Sequence, residues 1–177
     1  SYAFFNTLVD LQYNGGHVEG SQATHKNVPT DPDTGKLITE QIPTVVKSGY
    51  TLTYWVEDET TKYTPEELED VVFDANTTLT AQWEMNKYTV TFKEGDETIA
   101  TIEVIHGDTV NAIEPEHTTD ESGKEFVYWM DETDAEFDFT TPITDDITLT
   151  AYYAQAGSSK WIMSLPNCFV GLKADIA

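Results

Sequence analysis

The sequence predicts a mostly β, α+β chain made of two small tandem modules with at most short helices. Three observations predict it. Thr78-Leu-Thr-Ala-Gln-Trp83 returns 70 residues on as Thr148-Leu-Thr-Ala-Tyr-Tyr153. Gly49 precedes Trp55 with five residues between, as Gly123 precedes Trp129, and each copy carries a Tyr-Trp pair, Tyr54-Trp55 and Tyr128-Trp129. Between these landmarks apolar and polar residues alternate, the period of a half-buried strand. A self-similar period sets the architecture before any site is considered. The predicted division is a first module over 1–86, a second over 87–155 and a tail over 156–177.

In chain order, residues 4–13 end in alternation, with Leu11 and Tyr13 on one face and Asp10 and Gln12 on the other. Asn14-Gly15-Gly16 supplies positive-φ residues for a tight turn. Residues 17–36 are expected as loop, with Pro29, Asp31-Pro32-Asp33 and Thr34-Gly35 as turn chemistry. Leu37 to Val46 recovers apolar spacing around Pro43. Gly49 to Trp55 reads as a strand with Tyr50, Leu52 and Tyr54 on one side. After a polar stretch, Thr64-Pro65-Glu66-Glu67 has a helix N-cap, a proline at the first helical position and a glutamate at the capping-box position. A helical turn or two is expected from Pro65 to about Asp70. Val71 to Trp83 is then extended, with Leu79, Ala81 and Trp83 on one face.

The second copy begins at Lys87, with Tyr88, Val90 and Phe92 alternating against Thr89, Thr91 and Lys93. Glu94-Gly95-Asp96-Glu97 is a hairpin turn, and Thr98 to Ile105 is the return strand. His106-Gly107-Asp108 turns the chain, and Val110 to Ile113 is expected to make one helical turn before Pro115. A polar loop over 116–124, a strand from Phe126 to Met130 and an acidic loop from Asp131 to Glu136 follow. Phe137 to Phe139, Pro142 and Ile147 to Tyr153 complete the copy. The tail holds one acid, Asp175, and reads as a linker, an added strand or a fusion scar.

Charge narrows the partners. The chain has 177 residues with net charge −23, from 32 Asp and Glu against nine Lys, and no Arg. Nucleic-acid recognition needs positive fields and Arg forks, so nucleic acid and anionic membranes are excluded as partners. No 18-residue apolar run offers a transmembrane helix. The apolar start, Tyr2-Ala-Phe-Phe5, lacks the layout of a signal peptide, and the chain reads as a piece of a larger protein. A single cysteine, Cys168, excludes an internal disulfide, so the modules must hold by packing.

These motifs carry a resemblance. Asn14-Gly15-Gly16, Gly49-Tyr50 with Trp55, and Leu79-Thr-Ala-Gln-Trp83 form one copy of the pattern. Trp129 and Phe139-Thr-Thr-Pro-Ile-Thr-Asp-Asp-Ile-Thr-Leu-Thr-Ala151 form the other. The pattern resembles the Listeria–Bacteroides repeat, the internalin-type B repeat, over about residues 8–155. The chain departs from it at Lys93-Glu94-Gly95, where Asn-Gly-Gly is usual, and in a long insertion after Gly16. The resemblance implies β-grasp-like modules in tandem, at a bacterial cell surface or secreted, with neighbouring repeats in a larger parent protein. The roles it implies are spacer or adhesion. It brings no catalytic residues, and no enzyme is expected.

Candidate chemistry is sparse. Trp55, Trp83 and Trp129 recur at repeat positions and are read as core anchors rather than a sugar-stacking platform. Tyr63, expected on an exposed loop, and His25 are the candidate ligand-binding residues, for a host protein or glycan. The segment Val18 to Val46, present only in the first copy, is the candidate binding loop. Glu57, Asp58 and Glu59, and Asp131, Glu132 and Asp134, follow the two Tyr-Trp pairs. Oxygen-rich loops of this kind can hold calcium, although neither has the EF-hand spacing, and the plain alternative is a solvated acidic loop. No cofactor is otherwise expected. The histidines, His17, His25, His106 and His117, show no zinc-ligand spacing.

Overall fold

The computed structural model describes residues 7–156. The expected strand residues 4–6, Cys168 and the tail beyond Ala156 lie outside the described residues. Strands and isolated bridges hold 45% of the described residues, so the fold is mostly β. The chain divides into two compact units, Ser1–Asn86 and Lys87–Ala177.

Module 1 contains β1 (Leu8–Gln12), β2 (His25–Pro29), β3 (Tyr50–Val56), β4 (Lys62–Tyr63), α1 (Pro65–Leu68) and β5 (Thr77–Met85). Its sheet order is β2-β1-β5-β3-β4. Module 2 contains β6 (Lys87–Glu94), β7 (Glu97–Ile105), β8 (Glu125–Met130) and β9 (Ile147–Ala154), in the order β7-β6-β9-β8. In both, a hairpin is followed by a crossover that brings the last strand back beside the first and parallel to it, a β-grasp-like arrangement. The parallel registers correspond: Leu11 faces Leu79 in one copy, and Phe92 faces Leu149 in the other. So do the antiparallel ones, with Trp55 opposite Ala81 and Trp129 opposite Ala151.

Alternation explains the inner faces. Val9, Leu11, Leu79 and Ala81 face one core together with Trp55, which is 2% exposed. Val90, Phe92, Leu149 and Ala151 face the other with Trp129, 3% exposed. Both tryptophans are core anchors. Trp83 is half-buried against the first core, and its indole N–H donates to the Tyr13 carbonyl at 2.9 Å. In the second core Phe92 meets Trp129 edge-on at 4.9 Å, a favoured aromatic geometry. Thr64 caps α1: it accepts from the Glu67 N–H while Glu67 accepts from the Thr64 N–H, and the turn delivers Leu68 fully buried.

Several expectations are corrected. Residues 17–36 are not loop throughout, because β2 lies within them and pairs with β1 from Leu8↔Pro29 to Gln12↔His25. The segment Val18 to Val46 is therefore no free insertion. Within it β2 is the first copy's version of the hairpin strand β7, and the segment supplies Val28, Leu37 and Val45 to the core. In β3 the register shifts between Leu52 and Tyr54, as it does between Phe126 and Tyr128 in β8. A bulge inserts one residue and reverses the alternation. Leu52 and Trp55 thus pack on the same core, and Tyr54 does not share a face with Leu52. Of the stretch expected to be extended from Val71 to Trp83, β5 covers the part from Thr77, and Val72 makes an isolated bridge with Lys36. No helical turn forms at Val110 to Ile113. The Ile113 carbonyl instead accepts the Trp129 indole N–H at 2.9 Å, and Val110 is buried.

Candidate functional site

The expected ligand-binding residues, Tyr63 and His25, do not come together. Tyr63 is not on an exposed loop. It lies on edge strand β4 opposite Trp55, half-buried, with its ring edge-on to Phe73 at 6.1 Å. Its phenol pKa is raised by burial and by Glu57 and Asp58. His25 lies on β2, and its Nδ1 is 2.7 Å from Asp10 Oδ1 across the hairpin. The two residues belong to opposite edge strands of one sheet.

The acidic loops are closed turns. Asp58 Oδ1 accepts from the N–H groups of Thr60 and Thr61 at 2.9 and 2.8 Å and from the Thr60 hydroxyl. Asp131 Oδ1 accepts from the Thr133 N–H at 2.8 Å, from its hydroxyl, and from the Ala135 N–H. Such side-chain-to-backbone bonds are the local alternative that Asp offers a turn. They hold both carboxyls below the usual range. Among the described residues, Glu57, Asp58, Glu59, Asp131, Glu132 and Asp134 join no converging set of three ligand-type side chains.

One cluster does converge, at the end of β6. Glu94 is the last residue of that strand, and its side chain is 10% exposed. Its Oε2 accepts from the Glu116 N–H at 2.6 Å. Its Oε1 accepts from the His117 N–H at 3.2 Å, and from the Tyr153 hydroxyl at 3.0 Å. The His117 ring Nδ1 lies 2.9 Å from the same oxygen, and beside an ionised carboxylate it is the N–H tautomer that fits. The Tyr153 hydroxyl also lies 2.6 Å from the His117 carbonyl. A carboxylate has about four lone-pair directions. Four donors converge here, three on Oε1 and one on Oε2, and the single Tyr153 proton is shared between Glu94 and the His117 carbonyl. The ligand-type atoms of Glu94, Glu116 and His117 converge within 4.8 Å, and Glu94 with His117 forms an ion-pair hub.

Titration follows from the geometry. Burial would raise the Glu94 pKa, but bonds from the His117 ring, the Glu116 N–H, Tyr153 and the His117 N–H outweigh it and hold it below its ordinary value. The bond to Glu94, and then its charge, push His117 up. Burial, then Glu94, push Tyr153 up to about 12. Beside the hub an open groove of about 790 Å³ runs between Glu97, Asp120, Glu121 and Lys124, with Tyr153 in its wall. Sequence reasoning missed Glu94 and Tyr153 as partners of His117. They lie 23 and 36 residues from it and meet only because β6 and β9 are neighbours.

At the matching strand position module 1 has Tyr13, whose carbonyl takes the Trp83 indole N–H, where module 2 has Glu94 taking the Tyr153 hydroxyl. The copies share a scaffold and differ in the chemistry at its end. Such a chain is a tandem pair of small β repeats. It belongs to the Listeria–Bacteroides repeat domain family, whose profile matches residues 11–82 and 88–152. Comparison with curated proteins gives no match. Repeats of this family are typical of bacterial surface proteins and are generally non-catalytic. No described helix is long and apolar enough to cross a membrane.

Proposed function

We propose that the chain is a non-catalytic extracellular repeat pair that serves as a spacer or stalk in a bacterial surface or secreted protein. One observation carries this reading: the two copies repeat their cores and registers, and they do not repeat a site. Trp55 over Ala81 returns as Trp129 over Ala151, whereas the hub at Glu94 has no counterpart in module 1. A role that adds up along a chain needs the scaffold to recur and nothing else. The acidic surface supports the same reading, because a net charge of −23 keeps neighbouring copies apart.

An adhesion role, with a host glycan or protein as partner, is the second reading. The open groove beside Tyr153 favours it, and the segment Val18 to Val46 no longer does. The test is a binding screen of the folded pair against glycans and host matrix proteins, with calcium and with a chelator. The spacer reading expects no saturable binding and the same melting temperature in both. Saturable binding lost on Glu97→Gln with Glu121→Gln would establish the adhesion reading instead. A calcium-dependent rise in melting temperature would show that the acidic loops rearrange around the ion.

A further inference from the structure

We propose that the parallel pair of first and last strands in each module is a shear clamp, so that the chain bears tension along its length. The proposal rests on the stalk reading and adds a mechanical function to it. In module 1 the first strand β1 and the last strand β5 are direct neighbours and parallel, paired from Val9↔Thr77 to Gln12↔Thr80. In module 2 β6 and β9 are paired the same way, from Val90↔Ile147 to Lys93↔Thr150. Tension enters a module at the start of its first strand and leaves at the end of its last. In parallel strands these two points pull along the strand axes in opposite directions. Every ladder bond is then loaded at once. An antiparallel terminal pair pulled from its open end would lose its bonds one by one.

Side chains extend both ladders at both ends. Below the first pair, Asn76 Oδ1 accepts the Leu8 N–H at 2.8 Å, and Asp146 Oδ1 accepts the Thr89 N–H at 2.8 Å. Above the last, the Trp83 indole N–H reaches the Tyr13 carbonyl, and the Asn14 amide reaches the Ala81 carbonyl, both at 2.9 Å. In module 2 the Tyr153 hydroxyl reaches Glu94 at 3.0 Å. The inner face of each ladder is closed to water by Val9, Leu11 and Leu79, or by Val90, Phe92 and Leu149, all fully buried. Water therefore cannot replace these bonds from the core side as they stretch.

The experiment is single-molecule force spectroscopy on the full chain, held first by its two ends. Two rupture events are expected, releasing roughly 270 Å for the stretch from Leu8 to Met85 and roughly 240 Å for that from Lys87 to Ala154. The same chain is then held through Lys87→Cys and Ile105→Cys, with Cys168→Ala to leave two thiols. Lys87 faces Ile105 across the antiparallel β6–β7 pair, so this direction peels β7 away. Both positions are exposed, and an unchanged melting curve verifies the fold. The clamp expects module 2 to rupture at a several-fold higher force when held by its ends than when peeled. Asp146→Ala should lower the end-held force of module 2 and leave its peeling force unchanged, and Asn76→Ala should lower the end-held force of module 1. Equal forces in the two directions would overturn the clamp and leave the spacer reading intact. A ligand found in the binding screen would unseat the spacer reading and leave the clamp standing.

Discussion

Replacing Val18 to Val46 by a short turn should unfold module 1. The segment carries β2, which pairs with all five residues of β1, and it buries Val28, Leu37 and Val45. Burying one such side chain stabilises by about 1.5–3 kcal/mol, so the three together contribute about 5–9 kcal/mol. A module of this size has about 4–12 kcal/mol in all, at 0.05–0.15 kcal/mol per residue. The deletion removes most or all of that. It also leaves the outer edge of β1 bare, an exposed template for aggregation. Calorimetry and far-UV circular dichroism of the deletion variant should show one remaining transition, that of module 2. A deletion variant with both transitions, the first unmoved, would refute the reasoning and would restore Val18 to Val46 as a detachable loop. A binding role for the segment is therefore to be tested at exposed single positions such as Glu19, which leaves the core alone.

Two further predictions follow from close approaches and charge. Gly16→Ala would place a Cβ into the Trp83 ring and 2.8 Å from Val45 Cγ1, both packed against the core, so a loss of about 1–3 kcal/mol is expected by urea unfolding of module 1; a change within 0.5 kcal/mol would mean that the Trp83 ring swings aside. Glu94 contributes stability that is present above its ordinary value of 4.5 and is lost as pH falls through its lowered folded value. His117 contributes stability that is fully present below 6.5 and is lost as pH rises through its raised folded value. The melting temperature of module 2 should therefore peak between about 4.5 and 6.5, with Glu94→Gln removing the acid limb and His117→Gln the alkaline one. An NMR midpoint for His117 at or below 6.5 would contradict the ion pair.

Much of the fold was legible because alternation and turn chemistry are local. Leu79, Ala81 and Trp83 announce β5, and Thr64 with Pro65 and Glu67 announces α1, each within a few residues. β2 was not legible, because His25-Lys-Asn-Val-Pro29 turns a single apolar side chain inward and ends on proline, as an edge strand tolerates. The bulge in β3 left a trace that strict alternation overlooks. Leu52 and Trp55 are three apart, so both can reach one core only if one residue is extruded between them. The hub at Glu94 left no trace at all. Glu94 reads as a turn residue and Tyr153 as a repeat aromatic, and their meeting is a property of the parallel β6–β9 register.

The difference between the copies has a consequence for a chain under load. At the upper end of its ladder, module 1 closes β1 to β5 with an indole N–H on a carbonyl and an amide on a carbonyl, groups that do not titrate. Module 2 closes β6 to β9 through a carboxylate whose charge is held by a histidine and a tyrosine. Protonating Glu94 weakens the acceptor that Tyr153 donates to, and deprotonating His117 removes the cation that holds the Glu94 carboxylate in place. Acid and alkali should thus weaken the second clamp while leaving the corresponding bonds of the first untouched. If the clamps carry the load, the order in which the modules yield becomes a function of pH, with module 2 yielding earlier outside the window where the ion pair is intact. The shorter release of module 2, from Lys87 to Ala154 against Leu8 to Met85, identifies which module has yielded in each trace. An order of rupture that stays the same across that window would separate the hub from the clamp and leave Glu94 as a packing anchor for the 116–117 segment alone.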